Sequence, residues 1–224
     1  MTAVKSLIFD AGPLINFAMN GLLPLLKKLK QEFNGDFLIT KEVKREVIDY
    51  PESTKRFELE AIQIKELFNE RIIKHADITE QEVDNLRQKR EQIMSIANNT
   101  FFANNKPIHL LDKGECAALA LATILKQQSV LVIDERTTRM LIENPENLKK
   151  LLQKKLHTDI KVKKENFAFF KDFKVIRSTE LAYIAHKKNL IELKDPKAYE
   201  AMLYALKYKG CSVSEEEIEE MKKF

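Results

Sequence analysis

Two short apolar runs, each handed straight to an acid, constrain this chain more than any other feature. Residues 4–9, with Leu7, Ile8 and Phe9 consecutive, lead into Asp10; Val130, Leu131, Val132 and Ile133 lead into Asp134. A strand that is apolar on both sides has no solvated face, which is the pattern of a central strand in a parallel sheet covered by helices. The two acids then stand at the carboxyl ends of central strands, where such a sheet opens its binding crevice. Gly12 and Pro13 stop the first strand and lead into a helix that begins over residues 14–19. One aspartate after a strand is ordinarily a turn or helix cap. Two of them, after strands of the same type, point to a shared site.

Between and beyond these runs the sequence alternates helices with short strands. Residues 22–33 read as an amphipathic helix stopped by Asn34 and Gly35, and residues 36–39 as a second strand. Thr40 is placed to cap a helix over residues 41–50, with Val43, Val47 and Tyr50 on one face, Glu46 at its border, and Glu42 and Asp49 turned to solvent. A glutamate there is ordinarily a rim carboxylate; aimed along the sheet it would reach toward Asp10. A helix over 57–68 and a third strand over 71–75 follow. Thr79 and Glu82 then open an inserted helical segment in capping-box spacing, with Val83, Leu86, Ile93 and Ala97 on one stripe. Its Arg87, Lys89 and Arg90 read as a solvated face.

The helix that starts after Asp112 carries no charge from Cys116 to Leu125, so it must be packed all round, and Glu115 is the last acid before that interior. Asp112 and Glu115 also have the spacing of a helix cap and its reciprocal third residue. After the fourth strand, Arg136 and Arg139 are surface charges or phosphate contacts. Lys149, Lys150, Lys154, Lys155, Lys161, Lys163 and Lys164 form the richest basic run, with Asp159 the one acid inside it. Phe167, Phe169 and Phe170 are expected to pack rather than stack on bases. A fifth strand over 173–176 and helices over 178–188 and 196–209 close the chain, with a last short helix capped by Ser214.

The length of 224 residues, with 44% hydrophobic and 32% charged, describes one generous globular domain, or a domain with an appendage. A formal charge of +4 permits a nucleic-acid partner without demanding one. Cys116 and Cys211 are too few for a disulfide framework, so a reduced, cytoplasmic setting is expected, and no apolar stretch has the length of a membrane span. The four histidines are isolated from one another, which disfavours zinc.

If Asp10, Glu46, Glu115 and Asp134 converge, the cluster is all oxygen and all negative. Two carboxylates about 4 Å apart repel by roughly 4 kcal/mol at an effective dielectric near 20. Such a group calls for protons or cations, and hard oxygen donors favour Mg²⁺ or Mn²⁺. Asp49, Asp112 and Glu135 are the neighbouring acids that stand as accessory candidates.

The order "IFDAGPLINF", "ITKEVKREV", "LDKGECAALALA" and "VLVIDERTTR" resembles the PIN-domain ribonuclease family, and the C-terminal helices resemble those of a long, VapC-like subfamily of predicted nucleic-acid-binding proteins. The resemblance implies a three-layer α/β/α fold around a parallel sheet of about five strands in the order 3-2-1-4-5. It implies a nuclease domain over residues 1–177 with a helical insertion near 77–105, and a helical extension over 178–224. It further implies Mg²⁺- or Mn²⁺-dependent cleavage of single-stranded RNA, with Asp10, Glu46, Glu115 and Asp134 as catalytic and metal-holding residues; Arg136, Arg139 and the lysines from Lys149 to Lys164 are expected to guide the strand. A toxin role with an antitoxin partner and a homodimer belong to the same expectation. Gly12 and Val132 stand where many members carry hydroxyl residues, which motivates a second reading, a catalytically weak RNA-binding module. A structure-specific DNA nuclease shares the acidic chemistry.

Overall fold

The structure, a computed structural model, describes residues 5–125 and 128–223. Strand β1 (Ser6–Phe9) lies at the centre of a parallel sheet between β2 (Asp36–Leu38) and β5 (Ser129–Val132), with β7 (Val175–Ile176) outside β5. Its register pairs Phe9 with Val132 and Ile8 with Leu38. The expected start of β1 at Val4 lies outside the described residues. In chain order the helices between β1 and β2 are α1 (Ala11–Met19) and α2 (Leu23–Glu32). After β2 come α3 (Lys41–Lys44), α4 (Glu58–Asn69) and the inserted α5 (Glu80–Asn98). The uncharged helix is α6 (Lys113–Ile124), and α7 (Arg136–Glu143), α8 (Pro145–Leu156) and α9 (Phe167–Phe170) separate β5 from β7. The chain ends in α10 (Ser178–Lys187), α11 (Ala198–Tyr208) and α12 (Glu215–Lys223).

Alternation along the central strands sorts the molecule into three layers. Leu7, Phe9, Val130 and Val132 point into one core with α1, α2, α4 and the C-terminal helices. Ile8, Leu131 and Ile133 point into the other, with α5, α6, α7 and α8. Both faces being covered, the strands needed the continuous apolar runs that their sequence supplies. Helix α6 is buried at every residue from Gly114 to Ala122, as an uncharged helix between the sheet and α5 must be. The last three helices share the first core with Leu7 and Val130, so they dock on the sheet and complete it.

Four expectations are corrected. The third strand shrinks to a single parallel bridge between Leu38 and Lys74, because α4 runs to Asn69 and Arg71 takes a left-handed turn (φ 59°), leaving few residues to pair. That bridge still sits outside β2, so the order across the sheet is the expected 3-2-1-4-5. The helix expected over 41–50 is α-helical only to Lys44 and continues as a π turn over Arg45–Asp49, closed by the Tyr50 amide donating to the Arg45 carbonyl at 2.9 Å. One extra residue in that turn puts Ile48 in the core and leaves Tyr50 73% exposed, against the regular 3.6-residue face. The third correction is a small antiparallel sheet that the sequence did not announce. It joins β3 (Phe101–Ala103) to β4 (Lys106–Pro107) through a turn at Asn104 and Asn105, both left-handed, and to β6 (Ile160–Val162). The fourth is the fifth strand, which is shorter at its start than expected and begins at Val175. Phe170 is fully buried and the neighbouring phenylalanines pack around it, as expected.

Candidate active site

The carboxyl ends of β1 and β5 bring the first and last acids side by side. The Asp10 amide donates to the Val132 carbonyl at 3.0 Å, and a Cβ at Gly12 would lie 3.9 Å from both Asp10 Oδ2 and Asp134 Cβ. Asp10 is the residue before α1, and the amides of Ala11 and Gly12 face its carboxylate. Across from it, α6 begins at Asp112 with a reciprocal cap. The Glu115 amide donates to Asp112 Oδ1 at 2.9 Å and the Asp112 amide donates to Glu115 Oε2 at 2.8 Å. The capping reading of the Asp112 and Glu115 spacing therefore holds, and the cap faces Asp10.

Glu46 approaches from the π turn. A Cβ on Gly114 would come within 3.2 Å of Glu46 Oε2 and 3.4 Å of Asp112 Oδ1, so glycine leaves room for these two carboxylates to approach. The wide turn thus delivers to the site a side chain that a regular helix places at a face border.

The electrostatics fit four acids with no counter-charge. Burial pushes the Asp10 carboxyl up to about 7, the charges of Glu46 and Asp112 add to the shift, and the Ala11 and Gly12 amides only partly offset it. Burial likewise pushes Glu115 up to about 8, with Asp10 and Asp112 adding to it. Glu46, at the solvent edge, is raised by burial and by Asp112. Among the described residues no basic side chain forms an ion pair with Asp10, Glu46, Asp112 or Glu115.

Thr138, fully buried on α7, extends the cluster. Its hydroxyl contacts Glu115 Oε1 and lies 3.1 Å from Glu135 Oε2, and its amide donates to the same Glu135 oxygen at 2.7 Å. One hydroxyl hydrogen serves one carboxylate at a time, so Thr138 links Glu115 and Glu135, and its bond to Glu115 partly offsets the rise that burial causes there. Asp112 and Glu135, only accessory candidates in the sequence, are thereby joined to the cluster. Asp49 is not, being paired with Lys44 on the exposed side of the π turn.

Asp134 sits next to Asp10 in the backbone, and both of its carboxylate oxygens accept hydrogen bonds from neighbouring elements. Oδ1 accepts from the Ser178 amide at 2.8 Å, and Oδ2 accepts from the Ser178 hydroxyl at 2.8 Å and from Asn16 Nδ2 at 3.0 Å. Asn16 Nδ2 also donates to the Leu206 carbonyl at 2.9 Å, so this network pins α1, β5, α10 and α11 together. In this structure Asp134 does the work of a buried tie. The signal for it was Asn16, a polar residue inside the apolar run of α1; for Thr138 it was the capping distance from Glu135. Asp134→Ala is expected to lower stability by about 2–4 kcal/mol in urea denaturation, because it orphans the Ser178 amide and Asn16 in a dry setting. Lost activity at unchanged stability would instead make Asp134 a working member of the site.

The predicted basic residues divide. Arg139 is engaged, donating to the Ser212 carbonyl at 2.6 Å and pairing with Glu143, whereas Arg136 is exposed beside Glu135. Lys150, Lys154 and Lys155 are exposed on α8, with Lys149 half-buried there. Lys161 bonds Asn105 and Lys163 lies over the Phe102 ring, both on the small sheet, while Lys164 pairs with Glu146 on α8. On the other side of the acids, a cavity of about 450 Å³ opens between α3, α5 and the start of α6.

The donor chemistry fits a divalent cation: hard oxygens, buried at Asp10 and Glu115 and exposed at Glu46 and Asp112, mutually repelling and without an ion-pair partner among the described residues. Among the described residues, however, no group of three or more His, Cys, Asp or Glu side chains is already arranged to hold an ion.

Among the described residues no helix is long and apolar enough to cross a membrane. No curated protein and no solved structure matches the chain. A family profile described as the PIN domain does match, over residues 6–150, a span that holds β1, the π turn, the α6 cap and the end of β5, and so every acid of the cluster. The chain belongs to the PIN domain family.

Proposed function

We propose that this PIN domain is an endoribonuclease that cuts single-stranded RNA with the help of Mg²⁺ or Mn²⁺. PIN domains are in general nucleases that act on nucleic acid and use divalent metals. The observation that carries the finer reading is the facing pair Asp10 and Glu115, both buried, both raised, and neighboured by further acids with no ion pair to a basic side chain among the described residues. An uncompensated buried pair of that kind is costly to maintain, and a cation relieves it.

In this reading Asp10, Glu46, Asp112 and Glu115 hold the cation, and Glu135 orients Thr138 against Glu115. When bound, such a cation lowers the pKa of a coordinated water and offsets charge on a phosphodiester during in-line displacement. Thr138 fixes the rotamer of Glu115, and the α6 cap fixes Asp112. Exposed cations next to the acids, Arg45, Lys113 and Arg136, attract a strand that the acids alone would repel.

The expected result is cleavage of a single-stranded RNA in Mn²⁺ and none in EDTA, with calorimetry detecting Mn²⁺ binding by the parent and about tenfold weaker binding by Glu115→Gln. One observation favours a second reading, an RNA-binding PIN fold that does not cut: the absence, among the described residues, of a ready-made ligand set. Calorimetry separates the two, since no measurable Mn²⁺ binding at millimolar metal leaves only the second.

A further inference from the structure

The cavity beside the acids is built from both signs of chemistry that a nucleotide carries. Its rim holds Lys41, Arg45, Arg87, Arg90 and Lys113 against one carboxylate, Glu42. Arg90 is paired with Glu42 and Glu91, which ties α5 to α3 and holds the two walls together, and the exposed Arg87 pairs loosely with Asp84 at 3.4 Å. Lys41, Arg45 and Lys113 are exposed and have no ion pair among the described residues. The floor is apolar, with Ile39 at the end of β2 and Val83 and Leu86 on α5.

Helix α5 explains why that floor exists. Its stripe buries Ile93 and Ala97 completely against α6 but leaves Val83 and Leu86 only half-covered, over the cavity. His75 adds a polar edge. Its Nδ1 lies 2.9 Å from the Ile39 carbonyl, which can only accept, so Nδ1 carries the hydrogen and a neutral ring keeps Nε2 as an acceptor. The cavity also adjoins the acids through the chain itself: Arg45 precedes Glu46, and Lys113 lies between Asp112 and Gly114.

We propose that this cavity takes one unstacked nucleotide of the single-stranded RNA that the acidic cluster acts on, its base over Val83 and Leu86 and its phosphates against Arg45, Lys113 and Arg87. The volume is of the order that small-ligand sites use, and single-stranded RNA is recognised by splayed bases in such pockets. A free mononucleotide carries the same chemistry. The strand is favoured because the cavity is continuous in sequence and space with the acids and open at its cationic rim. The site rests on the nuclease reading for its substrate, and its test is arranged to fail separately from it.

Binding is measured by fluorescence anisotropy with a labelled single-stranded RNA on Asp10→Asn protein in EDTA, so that neither metal nor cleavage enters. Val83→Trp, which fills the cavity without changing charge, is expected to weaken binding about tenfold and to leave the salt dependence unchanged. Arg87→Glu is expected to weaken it and to flatten the salt dependence. Melting curves check folding, and RNA carrying 4-thiouridine provides a variant-free arm, expected to crosslink to residues 75–90 of the parent chain. Val83→Trp binding within about twofold of its parent, or crosslinks confined to α8 and β6, overturns the site even if the protein cuts RNA. Nucleoside monophosphates that bind more tightly than the strand overturn the assignment to a strand and make the cavity an effector site. RNA binding that needs the cavity in a protein that never cleaves keeps the site and removes the nuclease.

Discussion

Asp10→Asn is expected to reduce RNA cleavage by about 100-fold or more in kcat while leaving the fold intact. Asp10 is the deepest acid of the cluster, and its charge has no basic side chain to neutralise it among the described residues. The amide is nearly isosteric, so packing around Phe9 and α1 is preserved, but it supplies neither the charge nor the strong oxygen donor that a divalent cation needs. The same change removes the repulsion with Glu46 and Asp112, so the variant is expected to be at least as stable as its parent in the absence of metal. Lost cleavage with equal or higher stability separates a chemical role from a structural one. Cleavage within about threefold of the parent removes Asp10 from the mechanism.

The contrast with Asp134 marks what the sequence could and could not give. Two apolar runs ending in acid located both strands and marked them as central, because an apolar strand has only one kind of home in a sheet covered on both faces, while their adjacency came from the family resemblance. The uncharged α6 and its cap were legible for the same reason. What a side chain bonds to once it arrives is not carried by periodicity. Asp134 reaches Ser178 and Asn16, residues remote from it along the chain, and only the folded topology decides that these meet.

The π turn was hidden because one extra residue in a helix leaves composition unchanged. It nevertheless decides that Ile48 is buried, Tyr50 is exposed and Glu46 faces Gly114. The small antiparallel sheet rests on two left-handed asparagines in sequence, a turn signal that reads clearly only with β6 in place beside it. The inserted helix shows the same limit. Its stripe was visible, but that half of it floors a cavity instead of filling a core depends on where α6 ends up.

In EDTA the protein is expected to lose stability as pH rises from about 5 to about 8, by up to about 7 kcal/mol for the two groups together, and to level off above. The sign follows from two raised carboxyls. Asp10 and Glu115 hold their protons to about 7 and about 8 in the folded chain, against ordinary values of 3.8 and 4.5. Between those limits the folded state binds more protons than the unfolded one, so each unit of pH favours unfolding, and the effect ends once both groups are ionised in both states. The two titrate as a pair, since each raises the cost of ionising the other, so the slope belongs to the pair and not to either acid. Carboxyls that the fold shifts the other way, such as Glu217 beside Arg177, change their protonation below this window and do not mask it. Asp10→Asn should remove a large part of the slope, and Mn²⁺ should stabilise the parent more at pH 8 than at pH 5, because the cation binds the ionised acids. Chemical denaturation at four pH values measures all three. A stability that is flat or rising between pH 5 and 8 in EDTA means that Asp10 and Glu115 are not the desolvated, mutually repelling pair on which the metal reading of this site depends.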